Sequence, residues 1–354
     1  MRKSIAHQVS PEALQLHNDT IVIDLHADTA AMMKFGYDIF QIHRPPLPMA
    51  AFGYHLDIPR MQAGGLTAQF FGLVTFPLTK VGLFESALEQ MSLVKQCAAK
   101  RPETIRAVTE ANEIKSAKRA GQTAALFGLE GAHALEGKLE NLENLAREGL
   151  RYFGLTHFTK NQAASPAMGP GASKVRGLTG FGRNLVQKCN ELGVLVDLAH
   201  ANRKSFMEAV DLSADPIIVS HTGLAGVRKL WRNIDDEQVR AIAETGGCIG
   251  IIFSRYYLGG PSISRLADHI IHCVNIGGED CPALGSDFDG LIVPPRELPD
   301  VSALPRITHE LLERRVPERI IRKILGENVL RVLSLVPARA RLKHTQLRDS
   351  STIL

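Results

Sequence analysis

Eight short apolar runs, bounded by turn residues and separated by stretches of helical periodicity, recur along the chain. They occupy residues 20–24, 66–75, 123–129, 150–156, 194–199, 216–220, 248–253 and 282–285. Several, such as IVID, GVLVDLA and PIIVS, are almost continuously β-branched and apolar. Runs of that kind read as parallel strands covered on both faces. Between them, residues 86–100, 110–120, 140–148, 181–192, 235–244 and 265–275 place apolar side chains at helical spacing. Strands alternating with helices specify a parallel α/β architecture, and eight repeats favour closure into a (β/α)8 TIM-like barrel over an open, doubly wound sheet. No GxGxxG or P-loop motif supports the open sheet. After the eighth run, VPPRELPDVSALPR leads into two more helical stretches, expected to form a C-terminal helical cap. One barrel domain is expected over residues 1–336, with a polar tail over 337–354.

Charge excludes some partners. With 41 basic and 37 acidic residues the net charge is +4, and no basic stripe interleaves with aromatics, so neither nucleic acid nor an anionic membrane is expected as partner. The 5 cysteines are scattered without a CxxC pair, which argues against a disulfide framework and for reduced thiols in a cytoplasmic setting. The opening MRKSIAHQVSPEALQ has no apolar run behind its basic residues, and no window approaches the ~20 apolar residues of a membrane span. The closing RLKHTQLRDSSTIL is polar, unlike a lipid-anchor signal.

Polar residues fall at one recurrent place. In parallel barrels the chemistry sits at the C-terminal strand ends. The first run ends in IVIDLHADT, with His26 and Asp28 two apart, so an extended chain would turn both to one side. Glu130 ends FGLE, His157 follows FGLT, His200 ends LVDLAH, His221 ends IIVSH, and Asp287 stands in LGSDFDG. Histidine, aspartate and glutamate are the usual oxygen and nitrogen ligands of zinc, and a carboxylate can bridge two ions. Each residue also has a plainer reading: a strand-tip histidine as a hydrogen-bonded surface group, Glu130 or Asp287 as a cap. Asp24 precedes the rim and is expected to support ligands from behind, and His133 is expected to be structural.

These motifs resemble the membrane (renal) dipeptidase family of the amidohydrolase superfamily over nearly the whole chain. DLHADT corresponds to D-x-H-x-D, LEGAH to V-E-G-G-H, and GLRYFGLTHF to G-V-R-Y-L-x-L-T-H. GLTGFGRNLVQKCNELGVLVDLAH, IIVSHTG, LWRNIDDEQVRAIAETGG, GSDFDG and GENVLRVL follow in the family's order. The resemblance implies a metallo-dipeptidase with two divalent metal ions, zinc by ligand type. His26, Asp28 and Glu130 would hold one ion, and Glu130, His200 and His221 the other. It further implies His157 at the substrate carbonyl, Arg232 on a substrate carboxylate, Asp287 as proton shuttle and Tyr257 near the substrate. The expected substrate is a dipeptide, with a D-residue tolerated at its C-terminal position. An N-acyl amino acid or another small amide is the alternative, a non-catalytic metal-binding scaffold a more distant one. Family members tend to be homodimers. The chain departs from the pattern in two places. The loop after His157 reads FTKNQAASPAMGPGASKVRG where the family has a Trp- and Asn-containing wall, and IFS, with Ser254, replaces N-F-Y. In the family the loop positions wall the dipeptide pocket, and the metal motifs are intact, so the resemblance implies hydrolysis more firmly than a dipeptide substrate.

Overall fold

The computed structural model describes residues 9–43, 52–76 and 81–339. Nine parallel strands form the sheet: β1 (Ile23–Ala27), β2 (Ala68–Val74), β3 (Ile105–Ala107), β4 (Thr123–Glu130), β5 (Leu150–Gly154), β6 (Leu195–Asp197), β7 (Ile218–Thr222), β8 (Cys248–Ile251) and β9 (Pro282–Leu284). Eight of them close into a barrel in the order β1-β2-β4-β5-β6-β7-β8-β9, with β9 pairing back to β1. The ninth, β3, had no counterpart among the eight runs. It pairs with only the first residues of β4, Ile105 opposite Thr123 through Ala107 opposite Ala125, and β5 takes over that edge from Phe127. Its three residues include the exposed Arg106, too short and too polar a run to signal a strand.

Strand limits move for local reasons. The first begins at Ile23 rather than at residue 20, because Thr20 ends the helix Pro11–Asp19 and its hydroxyl donates to Leu16 O at 2.6 Å. The sixth apolar run begins at Ile218 rather than at 216, where a proline has no N–H to give a ladder. Helices Leu83–Lys100, Ala111–Arg119, Leu139–Glu148, Gly180–Leu192, Asp236–Glu244 and Ile263–Gly277 lie where periodicity put them, and Arg203–Leu212 is added.

The core divides in two. The larger cluster packs the outer strand faces, including Phe71, Phe127 and Phe153, against the helices. The smaller gathers Ala68, Phe70, Leu126, Tyr152, Leu195 and Ile218 with Val329, Leu330, Val332 and Leu333 of the helix Asn328–Leu335. That helix closes the end of the barrel away from the strand C-termini, so the helical cap forms a floor plug. The segment expected to begin a tail is tied down at first: Ala338 N–H donates to Glu110 at 2.8 Å and Arg339 pairs with Asp215 at 2.6 Å. Its remainder lies outside the described residues.

Candidate metal centre and substrate cavity

The strand ends deliver their polar residues to one point. His26 Nε2 lies 3.0 Å from Asp28 Oδ1, 3.7 Å from Glu130 Oε2 and 4.0 Å from Asp287 Oδ1. Glu130 Oε1 lies 2.8 Å from His200 Nε2 and 3.5 Å from His221 Nε2, while its Oε2 is 3.8 Å from His157 Nε2. Glu130 therefore stands between two sets of groups, with one oxygen toward each. Asp28 does not arrive by strand alternation. It has already left the extended conformation (φ −89°, ψ 14°) and starts the helix Thr29–Met33. His200 and Asp287 both sit in left-handed backbone, at φ 65° and 63°. For residues with a Cβ this costs on the order of 1–2 kcal/mol, a strain that structures retain mainly at functional sites. His133, as expected, stands aside, its Nε2 2.6 Å from Thr75 O.

The donor set fits divalent cations. His26 Nε2 and Asp28 Oδ1 are buried without a well-aligned hydrogen-bond partner among the described residues. The Nε2 atoms of His200 and His221 face each other at 3.0 Å. Three groups of potential ligands, His26/His221/Asp287, Glu130/His157/His200 and His26/Asp28/Glu130, each bring their ligand atoms within 4.8 Å of one another. Unpaired buried lone pairs and facing imidazoles are what a cation would satisfy, since buried polar groups otherwise find partners.

Beneath the centre, buried groups set its geometry. Ser286 donates to Asp24 from both backbone (2.7 Å) and hydroxyl (2.6 Å), and His26 N–H reaches the same carboxylate at 3.3 Å. Across the barrel, Ser220 donates to Asp197 from backbone (2.7 Å) and hydroxyl (2.6 Å), and its Oγ lies 2.9 Å from His221 Nδ1. Each clamp thus pairs an aspartate of one strand with the serine immediately before a site residue on its neighbour. With Ser220 Oγ–H given to Asp197, His221 Nδ1–H donates to Oγ, which leaves the Nε2 lone pair turned to the centre. Tyr152 does the same for His26, its hydroxyl 2.6 Å from Nδ1. Two glycines make room. A Cβ at Gly128 would fall 1.9 Å from the Tyr152 ring, and one at Gly72 2.6 Å from His26 Cε1. Of these supports sequence reasoning singled out only Asp24. The serine before each site residue, in SH and in GSD, was the available signal.

Electrostatics separates the groups. Burial alone would depress His26, but Asp28, Glu130 and Asp287 hold it up at about 10. Burial and the Arg232 charge take His200 down to about 3, and burial with His26 and Arg232 puts His221 far below the usual imidazole range. Burial raises Asp287 well above ordinary carboxylates, reinforced by Asp28. Glu130 is driven the other way despite burial by His157, His200 and His26.

Above the centre opens a cavity of about 730 Å³, with His157, Arg232, Tyr257, Ser254 and Asp287 among its walls. Arg232 is buried, donates from Nη1 to His221 O at 3.0 Å, and places Nη2 3.0 Å from His200 Nε2. Its guanidinium carbon lies 5.0 Å over the Tyr257 ring, and its Nε has no hydrogen-bond partner among the described residues. Phe158, the first residue of the divergent loop, stands edge-on to His200 at 4.7 Å. The loop is anchored there as well, Ala167 N–H donating to His200 O at 2.7 Å.

A closed parallel barrel that collects imidazoles and carboxylates at its C-terminal mouth defines the class of metal-dependent hydrolases. The family model described as membrane dipeptidase, peptidase family M19, matches residues 11–346. The chain belongs to that family and is a metallo-dipeptidase. Among solved structures, an amidohydrolase from Pseudomonas aeruginosa is similar at 27% identity and a TM-score of 0.75, over 92% of this chain and 98% of that one. A metallo peptidase from Rhodobacter sphaeroides, liganded with a phosphinate mimic of the dipeptide L-Ala-D-Ala, is similar at 27% identity and a TM-score of 0.78, over 90% and 100%. The probable dipeptidase PvdM from Pseudomonas aeruginosa shares the fold at 19% identity and a TM-score of 0.82, over 93% and 98%. No helix among the described residues is long and apolar enough to cross a membrane, and all five cysteines are unpaired.

Proposed function

We propose that this dipeptidase hydrolyses dipeptides with a free C-terminal carboxylate, using two divalent cations, zinc by ligand type. His26, Asp28 and Glu130 would hold one, and Glu130, His200 and His221 the other. The observation that carries this reading is the position of Glu130, with one oxygen 2.8 Å from His200 and the other 3.7 Å from His26. Bound divalent cations supply a water of lowered pKa, near 7 rather than ~15.7, and a Lewis acid for the scissile carbonyl. Asp287, within reach of the same point, takes a proton from the attacking water and returns it to the departing amine; burial, reinforced by Asp28, raises its proton affinity. His157 donates to the carbonyl oxygen as charge develops. Arg232, whose Nε has no partner among the described residues, receives the substrate carboxylate at the edge of its guanidinium, and Tyr257 stacks on the guanidinium face. Tolerance of a D-residue at the C-terminal position is supported by the L-Ala-D-Ala mimic held by the Rhodobacter sphaeroides neighbour.

The test is metal depletion followed by assay of L-Ala-D-Ala and L-Ala-L-Ala before and after adding Zn²⁺, Mn²⁺ or Co²⁺. Activity should vanish and return with metal. Asp287→Asn should keep its metal and lose about 10²–10⁴-fold in turnover. The loss from Arg232→Ala should shrink when the substrate carboxylate is amidated. Full turnover by metal-free protein, or by Asp287→Asn, overturns the assignment.

A further inference from the structure

The cavity wall asks for a particular kind of substrate. Among the described residues, thirteen large hydrophobic side chains are exposed, and six of them line this one cavity: Phe35, Phe52, Phe76, Phe158, Tyr256 and Leu291. Phe35 is 91% exposed and Phe76 56%. Apolar side chains concentrated in this way mark a binding surface, whereas scattered ones need no explanation. These six stand around a concavity with the reacting groups at its base, which points to a ligand that enters it. The cavity's charged lining residues, Asp28, Glu130, Arg232, Asp287 and Asp289, are largely buried. Asp289 is engaged, accepting from Thr29 Oγ at 2.6 Å and from His55 N at 2.7 Å. Among the described residues lining it, the upper wall therefore carries no charge.

Barrel topology gives this wall a direction. Arg232 lies in the connection that follows β7. In the closed order β1-β2-β4-β5-β6-β7-β8-β9, the strand diametrically opposite β7 is β2, four strands away by either route. Phe76 follows β2 by two residues, and Phe35 and Phe52 lie in the connection from β1 to β2. Three phenylalanines of the cavity lining thus come from the side of the barrel mouth opposite the connection that carries Arg232. A substrate whose carboxylate meets Arg232, and whose amide lies over the centre, must extend its acyl half toward them.

Building on the function proposed above, we propose that the enzyme selects amides with a large apolar group on the acyl side of the scissile bond, with Phe35, Phe52 and Phe76 as its specificity wall. Water adds across the C–N bond, the acyl carbon taking the hydroxyl and the nitrogen the hydrogen, so the bulky group leaves with the new carboxylate. The apolar group can be the side chain of an N-terminal residue or the tail of an N-acyl amino acid, since both present the same surface to the wall. At about 730 Å³ the cavity falls within the ~300–1,000 Å³ of pockets that take ligands larger than a pair of small residues.

The experiment holds the C-terminal residue at D-alanine and varies the acyl half through glycyl, alanyl, leucyl, phenylalanyl, acetyl and octanoyl, using the zinc-loaded full-length chain. kcat/KM should rise at least about tenfold from alanyl to leucyl or phenylalanyl, the scale expected for filling an apolar pocket. The combined variant Phe35→Ser, Phe52→Ser, Phe76→Ser should flatten that rise while its metal content and melting temperature match the parent's. A steeper response to octanoyl than to acetyl, without one among the dipeptides, assigns the wall to N-acyl amino acids, and the reverse pattern to dipeptides. Rates indifferent to acyl size, or lowered equally on all substrates by the variant, overturn the proposal. Calorimetric binding of phosphinate analogues of the same series separates this failure from that of the parent reading. Affinity that tracks apolar size without turnover keeps the wall and removes the hydrolysis; turnover with flat affinity does the opposite.

Discussion

The floor of the cavity and its upper wall are built on opposite principles. On the floor, Asp24, Asp197, Ser220, Ser286 and Tyr152 are buried and tied by hydrogen bonds of 2.6–2.7 Å to the groups that carry the chemistry or to one another. On the wall, phenylalanine and leucine side chains are exposed, Phe35 at 91% and Leu291 at 64%. Buried polar networks in low dielectric have one good arrangement and penalise any other, so the floor fixes geometry. Exposed side chains on connecting segments change at small cost to the fold, so the wall is where a substrate preference can be set independently of the reaction. The divergent loop after His157 agrees with that division: it alters the cavity's side and leaves every ligand-type residue in place.

The comparison is tested most severely at Glu130, the floor residue that the proposed function assigns to both cations. Glu130→Gln keeps the shape and removes the charge that lies between His26 and His200. Metal content should fall below two ions per chain and turnover by on the order of a thousandfold or more. Elemental analysis beside steady-state kinetics checks both. A glutamine variant with full metal and near-normal turnover would show that the floor does not depend on this carboxylate.

Asp197 comes next. It touches neither cavity nor substrate and acts through Ser220 on His221, so Asp197→Asn should weaken metal affinity about 10–100-fold, the usual consequence of losing a group that orients a ligand imidazole. Ser220→Ala should do much the same, and the double variant should cost less than the two losses combined, because both remove one relay. Chelator competition measures the affinities. Additive losses would break the relay into two unrelated contacts, and unchanged affinity in either single variant would reduce the clamp to a support of the fold.

How much of this was legible in the sequence follows from the same division. The barrel was readable because eight buried strands each need a continuous apolar run, and eight such runs alternating with helical stretches do not occur by accident. The rim residues were readable because parallel strands place their last residues on one face. What escaped depended on contacts between distant segments. Nothing in Ile105–Ala107 announces a strand, since it exists only by pairing with the first residues of β4. Asp197 and Ser220 are 23 residues apart in sequence and bond only because β6 and β7 are neighbours. Asp28 stands 3.0 Å from His26 by a geometry that alternation does not describe, because alternation assumes an extended chain and the strand has already ended there. The apolar wall was invisible for a simpler reason. Phe35, Phe52 and Phe76 look like ordinary core residues until their exposure is known.

The smallest predicted effect is at Leu291, where the wall's cost can be measured directly. This leucine is 64% exposed and held at φ 57°. A residue with a Cβ in that conformation costs on the order of 1–2 kcal/mol, and an exposed side chain returns little burial energy against it. Leu291→Gly relieves the backbone but gives the unfolded chain roughly 0.5–1 kcal/mol more entropy to lose. The net change in stability should therefore lie between about zero and 1.5 kcal/mol in favour of the variant, read by chemical denaturation of the two proteins side by side. A clear destabilisation would mean that Leu291 packs as part of the fold, and the contrast between a floor that holds structure and a wall that does not would fail at this position.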